Sequence, residues 1–476
     1  MLNVRDLGAV GDGKTKDTAA LQKALDQGGT VVVPPGTYLS GTLYLHDDTE
    51  LRLEPGATLL ASPDPNDYNA DDFCPQNRVH KGDWARGAHF IVAVEAKNVA
   101  ITGTGKIDGN RQAFFTPPEY MHHIWSTPIK YRPGQMLFFC ECRDVTLADV
   151  EMANYPYWCC FLHGCEYVTI RGLRIRSDKF VRNSDGIDLD CCRCVSVSDC
   201  LIETGDDCIA IRGVVSPLKT PRSCEHITIA NCVLSSLCNG IRIGVGGGTI
   251  RDLMFSNLSI WNTVKAICII SSYSSGSGVG IDNVSFDHLN LDCARAFTVA
   301  INAKGRCMGP VGREIRDVSF SHVRGTFCVG SLFQGYEPGD VHGLRFDDLE
   351  LTGVSVRRNP TFLEYVGEHP NHVPDPEFGF FEYMRKAPTS ERELWPKNAE
   401  FTEFDLKRLQ ELSRIHRAMA IPPESLRFEN VRDAIFDRVR IDWADDDPGT
   451  VADVGMLNCQ DMEFRDCKFA KGKVEL

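Results

Sequence analysis

Three aspartates in two short motifs carry the chemistry open to this sequence. Asp185 lies in Asn183-Ser-Asp-Gly-Ile-Asp188, and the adjacent pair Asp206 and Asp207 lies in Thr204-Gly-Asp-Asp-Cys-Ile-Ala-Ile211. Carboxylates held close together repel one another, which raises at least one pKa. A protonated acid beside an ionised carboxylate is the pair that hydrolysis of a glycosidic bond requires. Such a pair needs neighbouring elements that bring distant residues side by side, and the rest of the sequence says which elements these are.

A six-residue pattern recurs along the chain. It begins with Val145-Thr-Leu-Ala-Asp-Val150, Val168-Thr-Ile-Arg-Gly-Leu173, Val195-Ser-Val-Ser-Asp-Cys200 and Ile227-Thr-Ile-Ala-Asn-Cys232. It continues with Leu253-Met-Phe-Ser-Asn-Leu258, Val284-Ser-Phe-Asp-His-Leu289, Val318-Ser-Phe-Ser-His-Val323 and Leu344-Arg-Phe-Asp-Asp-Leu349, then after a gap with Ala434-Ile-Phe-Asp-Arg-Val439 and Met462-Glu-Phe-Arg-Asp-Cys467. Positions one, three and six are apolar, and position five is mostly Asp, Asn, Gly or His. Apolar alternation predicts a strand, and the polar fifth residue predicts a bend into the next one. A single strand cannot bury its apolar side, so coils must stack and share one interior. The expected fold is all-β, a right-handed parallel β-helix formed as one domain over residues 1–476.

The repeat also gives an expected register. Asp207, Asn239 and Lys265 each lie 12 residues after the start of their coil's pattern. Equal offsets stack them in one column, about 4.8 Å per coil. His163 and Asp185 precede Asp207 at intervals of 22 residues, which extends the expected column to His163, Asp185, Asp207, Asn239 and Lys265.

The 476-residue chain carries 51 Lys+Arg against 65 Asp+Glu, a formal net charge of −14. This balance excludes nucleic acid and anionic membranes as partners, because both need a basic footprint. No apolar run reaches the length of a membrane span. Twenty cysteines are too sparse for a small disulfide-stapled scaffold and do not form paired C-x-x-C zinc spacings. Cys200, Cys232 and Cys467 fill the sixth position, where other coils have Val or Leu, so interior packing is expected for most cysteines. With no basic and apolar leader at Met1, the expected compartment is the cytosol.

Residues 1–60 read as an N-terminal cap with the first strands. Thr18 to Asp26 predicts a short helix with Asp17 as N-cap, followed by a strand over Val31–Tyr38. The segments 63–90 and 110–135 are long loops rich in aromatic and histidine residues, including Tyr68, Trp84, His122, His123 and Trp125. Residues 355–425 interrupt the repeat, and Phe404 to Ala420 predicts an amphipathic helix within that insertion. Loops of this length in a compact solenoid suit a binding site. By blocking one end of a groove, they would favour attack at chain ends. Trp84, Trp125, Tyr155, Tyr157 and Trp158 are candidates for stacking on sugar rings.

The two aspartate motifs resemble those of glycoside hydrolase family 28, the polygalacturonase family, over roughly residues 1–350 and 425–476. The stretch Val4 to Gly13 and Val33-Pro-Pro-Gly-Thr-Tyr38 are also similar to bacterial members. The resemblance implies an inverting glycosidase without metal or organic cofactor. It assigns Asp206 as general acid and Asp185 with Asp207 as the groups that activate water. The expected substrate-binding residues are Asn183 in its motif, His163, Asn239 and Lys265 by their place in the column, Arg242 by its nearness to it, and Trp158 as a stacking face. Two later family motifs differ here. Asn239, in Cys238-Asn-Gly240, stands where the family has a His, and Asn cannot shuttle a proton. The segment Lys265-Ala-Ile-Cys-Ile-Ile270 keeps one cation of the family's R-I-K and loses the other. A pectin-derived oligosaccharide or related glycoside, less acidic than plain homogalacturonan, is the expected substrate. A solenoid face or the 355–425 insertion can mediate a homo-oligomer. Two alternatives share the fold: a polysaccharide lyase, with Ca²⁺ held by the aspartates, and a non-catalytic carbohydrate-binding β-helix.

Overall fold

A computed structural model describes residues 1–69, 88–115, 132–178, 181, 183–216, 218–271, 278–301, 314–354, 422, 424–444 and 450–476. The insertion 355–421 with its expected helix, and Trp84, His122, His123 and Trp125, lie outside the described residues. The described chain divides into two compact units, the first ending at Val233 and the second running from Leu234 to Leu476. Each is a stack of parallel β-coils, as the repeat predicts, and together they contain one α-helix among the described residues.

The fifth position of the repeat explains why the chain coils. All ten of these residues have positive φ: Asp149, Gly172, Asp199 and Asn231 in the first unit, and Asn257, His288, His322, Asp348, Arg438 and Asp466 in the second. The left-handed region is sterically poor for most side chains, and Gly, Asn and Asp enter it most readily. One such residue turns the strand and sends position six back into the interior. In the first unit Asp149 separates the strand Arg143–Ala148 from Glu151–Ala153. In the second unit strand pairing continues through the bend, so single strands run Thr249–Ser271 and Gly280–Ile301.

Register follows the pattern residue by residue. In the first unit Val145, Val168, Val195 and Ile227 pair in sequence, as do Leu147, Ile170, Val197 and Ile229. In the second unit the third position is Phe throughout. Phe255, Phe286, Phe320, Phe346, Phe436 and Phe464 stack with successive ring centroids 4.6, 5.2, 5.5, 4.6 and 4.6 Å apart. Leu344 pairs directly with Ala434, so the repeat resumes in register after its gap.

Cys200 and Cys232 are buried at position six, while Cys467, in the last coil, is half-buried. The first unit also carries a thiol ladder. Cys142, Cys165, Cys192 and Cys224 donate to the carbonyls of Ala93, Phe139, Leu162 and Leu189, at 3.3, 3.5, 3.2 and 3.5 Å. Those four acceptors are themselves register partners.

The N-terminal helix spans Thr18–Leu25 and buries Leu21, Ala24 and Leu25, while Ala19 is exposed. It packs against Leu43–Tyr44, where Gln22 exchanges hydrogen bonds with the Tyr44 backbone at 2.8 and 3.0 Å. The expected side-chain cap is absent: the Asp17 carboxylate instead accepts Val10 N–H at 2.7 Å and Gly11 N–H at 3.0 Å. It closes the preceding glycine loop in place of capping the helix.

Candidate active site

In the first unit the two aspartate motifs occupy successive coils. Strand Cys160–His163 pairs with Ile187–Asp190, which pairs with Ile209–Gly213. Just before these strands, Cys159 N–H donates to Asp185 O and Gly186 N–H donates to Asp207 O, both at 2.8 Å. These bonds set the Asp185 and Asp207 backbones beside each other on adjacent coils. A Cβ on Gly186 would lie 2.5 Å from the Cys208 carbonyl oxygen, so glycine is needed for this close approach. The hydroxyl residues of the two motifs lock their turns. Ser184 Oγ donates to Val181 O at 2.8 Å and accepts Gly205 N–H at 2.9 Å, and Thr204 Oγ1 donates to Asp206 O at 2.6 Å.

The carboxylates differ in environment. Asp185, Asp207 and Asp188 are buried, at 4%, 9% and 0% exposure, while Asp206 is half-buried and accepts Asp207 N–H at 3.1 Å. Burial is the main force raising the Asp185 pKa well above its ordinary value, and the charges of Asp206, Asp188 and Asp207 add to it. Asp188 is raised in the same way, with Arg212 opposing. Among the described residues neither Asp188 carboxylate oxygen, nor Asp185 Oδ1, has a hydrogen-bond partner. Buried carboxylates in that state hold protons readily.

Arg212 faces this group. Arg212 Nε donates to Asp190 Oδ2 at 3.3 Å, its Nη1 lies 3.8 Å from Asp188 Oδ1, and its guanidinium carbon is 4.5 Å from the Trp158 ring centroid. Burial acts against its charge, but Asp190, Asp188 and Asp185 outweigh burial and keep it cationic. Asp188, Asp190 and Arg212 complete the cluster that sequence reasoning had limited to three aspartates. Asp188 was visible as the end of its motif. The pairing of Asp190 with Arg212 needs the register to be seen.

Several expected binding residues have other work. His163 is fully buried and pairs with Asp190, not with Asp185. Its Nε2 lies 2.9 Å from Val214 O, while Val214 N–H donates to Asp190 Oδ1 at 2.7 Å. His163 and Asp190 therefore hold both sides of one peptide residue at the end of the Arg212 strand. Trp158, 6% exposed, stacks on Tyr157 at 5.1 Å and 9° and carries the Arg212 guanidinium. Its ring positions the Arg212 cation. Tyr155 is fully buried, with its hydroxyl donating to Ser184 O at 3.3 Å. Asn183, at φ 54°, accepts Arg132 Nη2 at 2.8 Å and anchors the turn that leads to Asp185.

The second unit holds the remaining candidates. Asn239 pairs with Lys265, as the equal offsets predict, and Lys265 pairs in turn with Arg295. All three are buried, at 4%, 4% and 2% exposure. Burial lowers the Arg295 pKa to about 10. Arg242 donates to Ile243 O at 2.7 Å and Cys268 O at 3.4 Å. It braces its own strand and the next one.

Parallel coils carrying an aspartate cluster on successive rungs define the protein as a β-solenoid. The family model for glycosyl hydrolases family 28 matches residues 30–359, and the chain belongs to that family. A probable polygalacturonase of Arabidopsis thaliana is 26% identical over 311 residues, covering 58% of this chain and 62% of that protein. A probable polygalacturonase of Vitis vinifera is 28% identical over 217 residues, covering 44% and 43%. The chain thus spans less than two thirds of the length of either plant relative. A family 28 exopolygalacturonase of Yersinia enterocolitica superposes with a TM-score of 0.63 at 17% identity, over 99% of this chain and 78% of that one. This last likeness is one of fold.

Proposed function

We propose that the protein is an inverting glycoside hydrolase that removes units from the ends of pectin-derived oligosaccharides. The observation that carries this reading is the backbone pairing of Asp185 with Asp207 on adjacent coils, with Asp206 next in the chain. Asp206, the most exposed of the three, delivers its proton to the leaving oxygen. Asp207 and Asp185 hold the attacking water. Asp185, desolvated beside three other carboxylates, has its pKa raised well above the ordinary value. Arg212 limits the repulsion within the cluster.

The substrate reading draws on the second unit by itself. Lys265 and Arg295 are cations on successive rungs, which suits a uronic-acid carboxylate. Arg295 thereby supplies a second cation that the later family motif lacks in this sequence, and it moves the reading back towards galacturonate-containing chains. End-wise action draws support from the Yersinia neighbour, itself described as an exopolygalacturonase.

The test is NMR of the released sugar during hydrolysis of defined galacturonan and xylogalacturonan oligomers, with the wild type and Asp206→Asn. The expected first product is the inverted anomer, and the variant loses about 10²- to 10⁴-fold in kcat with its melting temperature kept. A retained anomer, or unchanged turnover in the variant, would sink the mechanism.

A further inference from the structure

On the outer bend of the second unit, the left-handed fifth position is His in two consecutive coils. His288 and His322 have φ of 55° and 51°, and Leu289 pairs with Val323 just beyond them. Both side chains therefore leave the corner at the same height of the repeat, one coil apart. Their rings stack with centroids 4.5 Å apart at 21°. Asp287, beside His288, faces both: His322 Nδ1 is 2.7 Å from Asp287 Oδ1, and His288 Nδ1 is 2.9 Å from Asp287 Oδ2. One donor atom of each residue lies within 4.8 Å of the other two. All three side chains reach solvent, at 58% for His288, 44% for His322 and 43% for Asp287.

Two exposed imidazoles gain little from stacking in water, and two charged ones repel. A shared carboxylate favours both rings in one place, and the same carboxylate with two imidazole nitrogens is a metal donor set. Such a set suits Zn²⁺, Ni²⁺ or Cu²⁺, whereas Ca²⁺ and Mg²⁺ call for oxygen ligands. Tetrahedral ligands at about 2.0 Å stand roughly 3.3 Å from one another. The 2.7 and 2.9 Å contacts, which reach different Asp287 oxygens, would open by about half an ångström around a metal, while the ligand atoms of the three residues already lie within 4.8 Å of one another. The neighbouring rungs do not compete for the ion. Asp348 takes Arg324 Nη2 at 2.9 Å, and Arg324 Nε also pairs with Glu350 at 3.2 Å, so that cation is already neutralised; the rung before His288 is Asn257.

We propose that His288, His322 and Asp287 form a surface site for one borderline divalent transition cation, with water completing its coordination. The ion replaces the protons now shared between imidazoles and carboxylate. It ties the coil of Gly280–Ile301 to that of Ile315–Phe327, and so staples the second unit from outside.

Isothermal titration of untagged full-length protein with ZnCl₂, and separately NiCl₂ and CaCl₂, tests this. The control variant is His288→Asn/His322→Asn, because Asn keeps the left-handed bend, as it does at Asn257 on the adjoining rung. One Zn²⁺ or Ni²⁺ per chain is expected for the wild type, with no Ca²⁺ binding and a metal-dependent rise in melting temperature. The double variant loses the site, and Asp287→Asn weakens it by about tenfold or more. With one equivalent of Cu²⁺, electron paramagnetic resonance of the wild type should show two coupled equatorial nitrogens, a readout that needs no variant to fold. No bound Zn²⁺ or Ni²⁺, equal binding by the double variant, or a Cu²⁺ spectrum without nitrogen coupling would overturn the proposal.

Discussion

The two units are built on one repeat and filled with opposite chemistry. In the first, the interior rungs are Val, Leu and Ile with a ladder of thiols beside them, and the polar rungs are acidic: Asp185, Asp207, Asp188 and Asp190 around one arginine. In the second, the third position is an unbroken stack of phenylalanines, and the polar rungs are Asn239, Lys265 and Arg295. Backbone geometry is common to both, set by a left-handed residue at each bend. The coil thus fixes where a side chain stands and leaves its chemistry free. The contrast shows how one repeating scaffold carries carboxylates on the rungs of one unit and cations on the rungs of the other.

The sharpest way to break the comparison is through the interiors. Phe320→Ala removes a ring lying between Phe286 and Phe346 and should cost about 3–5 kcal/mol. Val197→Ala, at the same repeat position of the first unit, should cost about 1.5–2 kcal/mol. Urea unfolding of both variants measures this, and equal losses would mean that the aromatic stack adds nothing to its rungs.

A smaller effect is expected from the polar rungs. Arg295→Met should raise KM for galacturonate oligomers by about 10- to 100-fold, as expected for losing a hydrogen bond to a charged group worth about 1.5–3 kcal/mol. Activity on an uncharged glycoside should stay level. A fall in kcat with KM unchanged would remove Arg295 from substrate recognition.

The smallest effect at any single pH comes from Asp188. Burial and neighbouring carboxylates raise Asp185 and Asp188 above their ordinary value of 3.8. Each therefore contributes stability that is fully present below that value and is lost as pH rises through its folded pKa. Asp188→Asn removes one such group while Arg212 keeps Asp190. Its stability advantage over the wild type should grow from about pH 4 towards neutrality. Melting curves that run parallel across this range would show that Asp188 is not held protonated.

Much of this was legible in the sequence, and the failures have a physical cause. The repeat disclosed the coils because every fifth residue had to enter a region that few side chains tolerate, and all ten do. The motif aspartates were legible because their turns are short and rigid. Counting offsets succeeded for Asn239 and Lys265 and failed for His163 and Arg295. His163 was placed over Asp185 by equal intervals, yet pairing through Cys160 and Ile187 sets it on Asp190. Arg295 escaped for a similar reason. The pairing shifts between Ile260 and Thr263, around Asn262 at φ 48°, so the 12-residue offset lands on Ala296, one residue past the cation. For Trp158 and Tyr155, candidates for sugar stacking, an aromatic residue near a motif carries no sign of which face is already covered.

The thiol ladder has a practical consequence. Cys142, Cys165, Cys192 and Cys224 are buried, and burial contributes to raising each of their pKa values, alongside the neighbouring thiol Cys165 at Cys142. Such thiols cannot meet an alkylating reagent until their coil opens. Cys194, on the surface of the same unit, is available at once. Timed alkylation followed by peptide mass mapping would therefore act as a clock, with Cys194 marking zero and each rung recording when its own coil first parts from its neighbour.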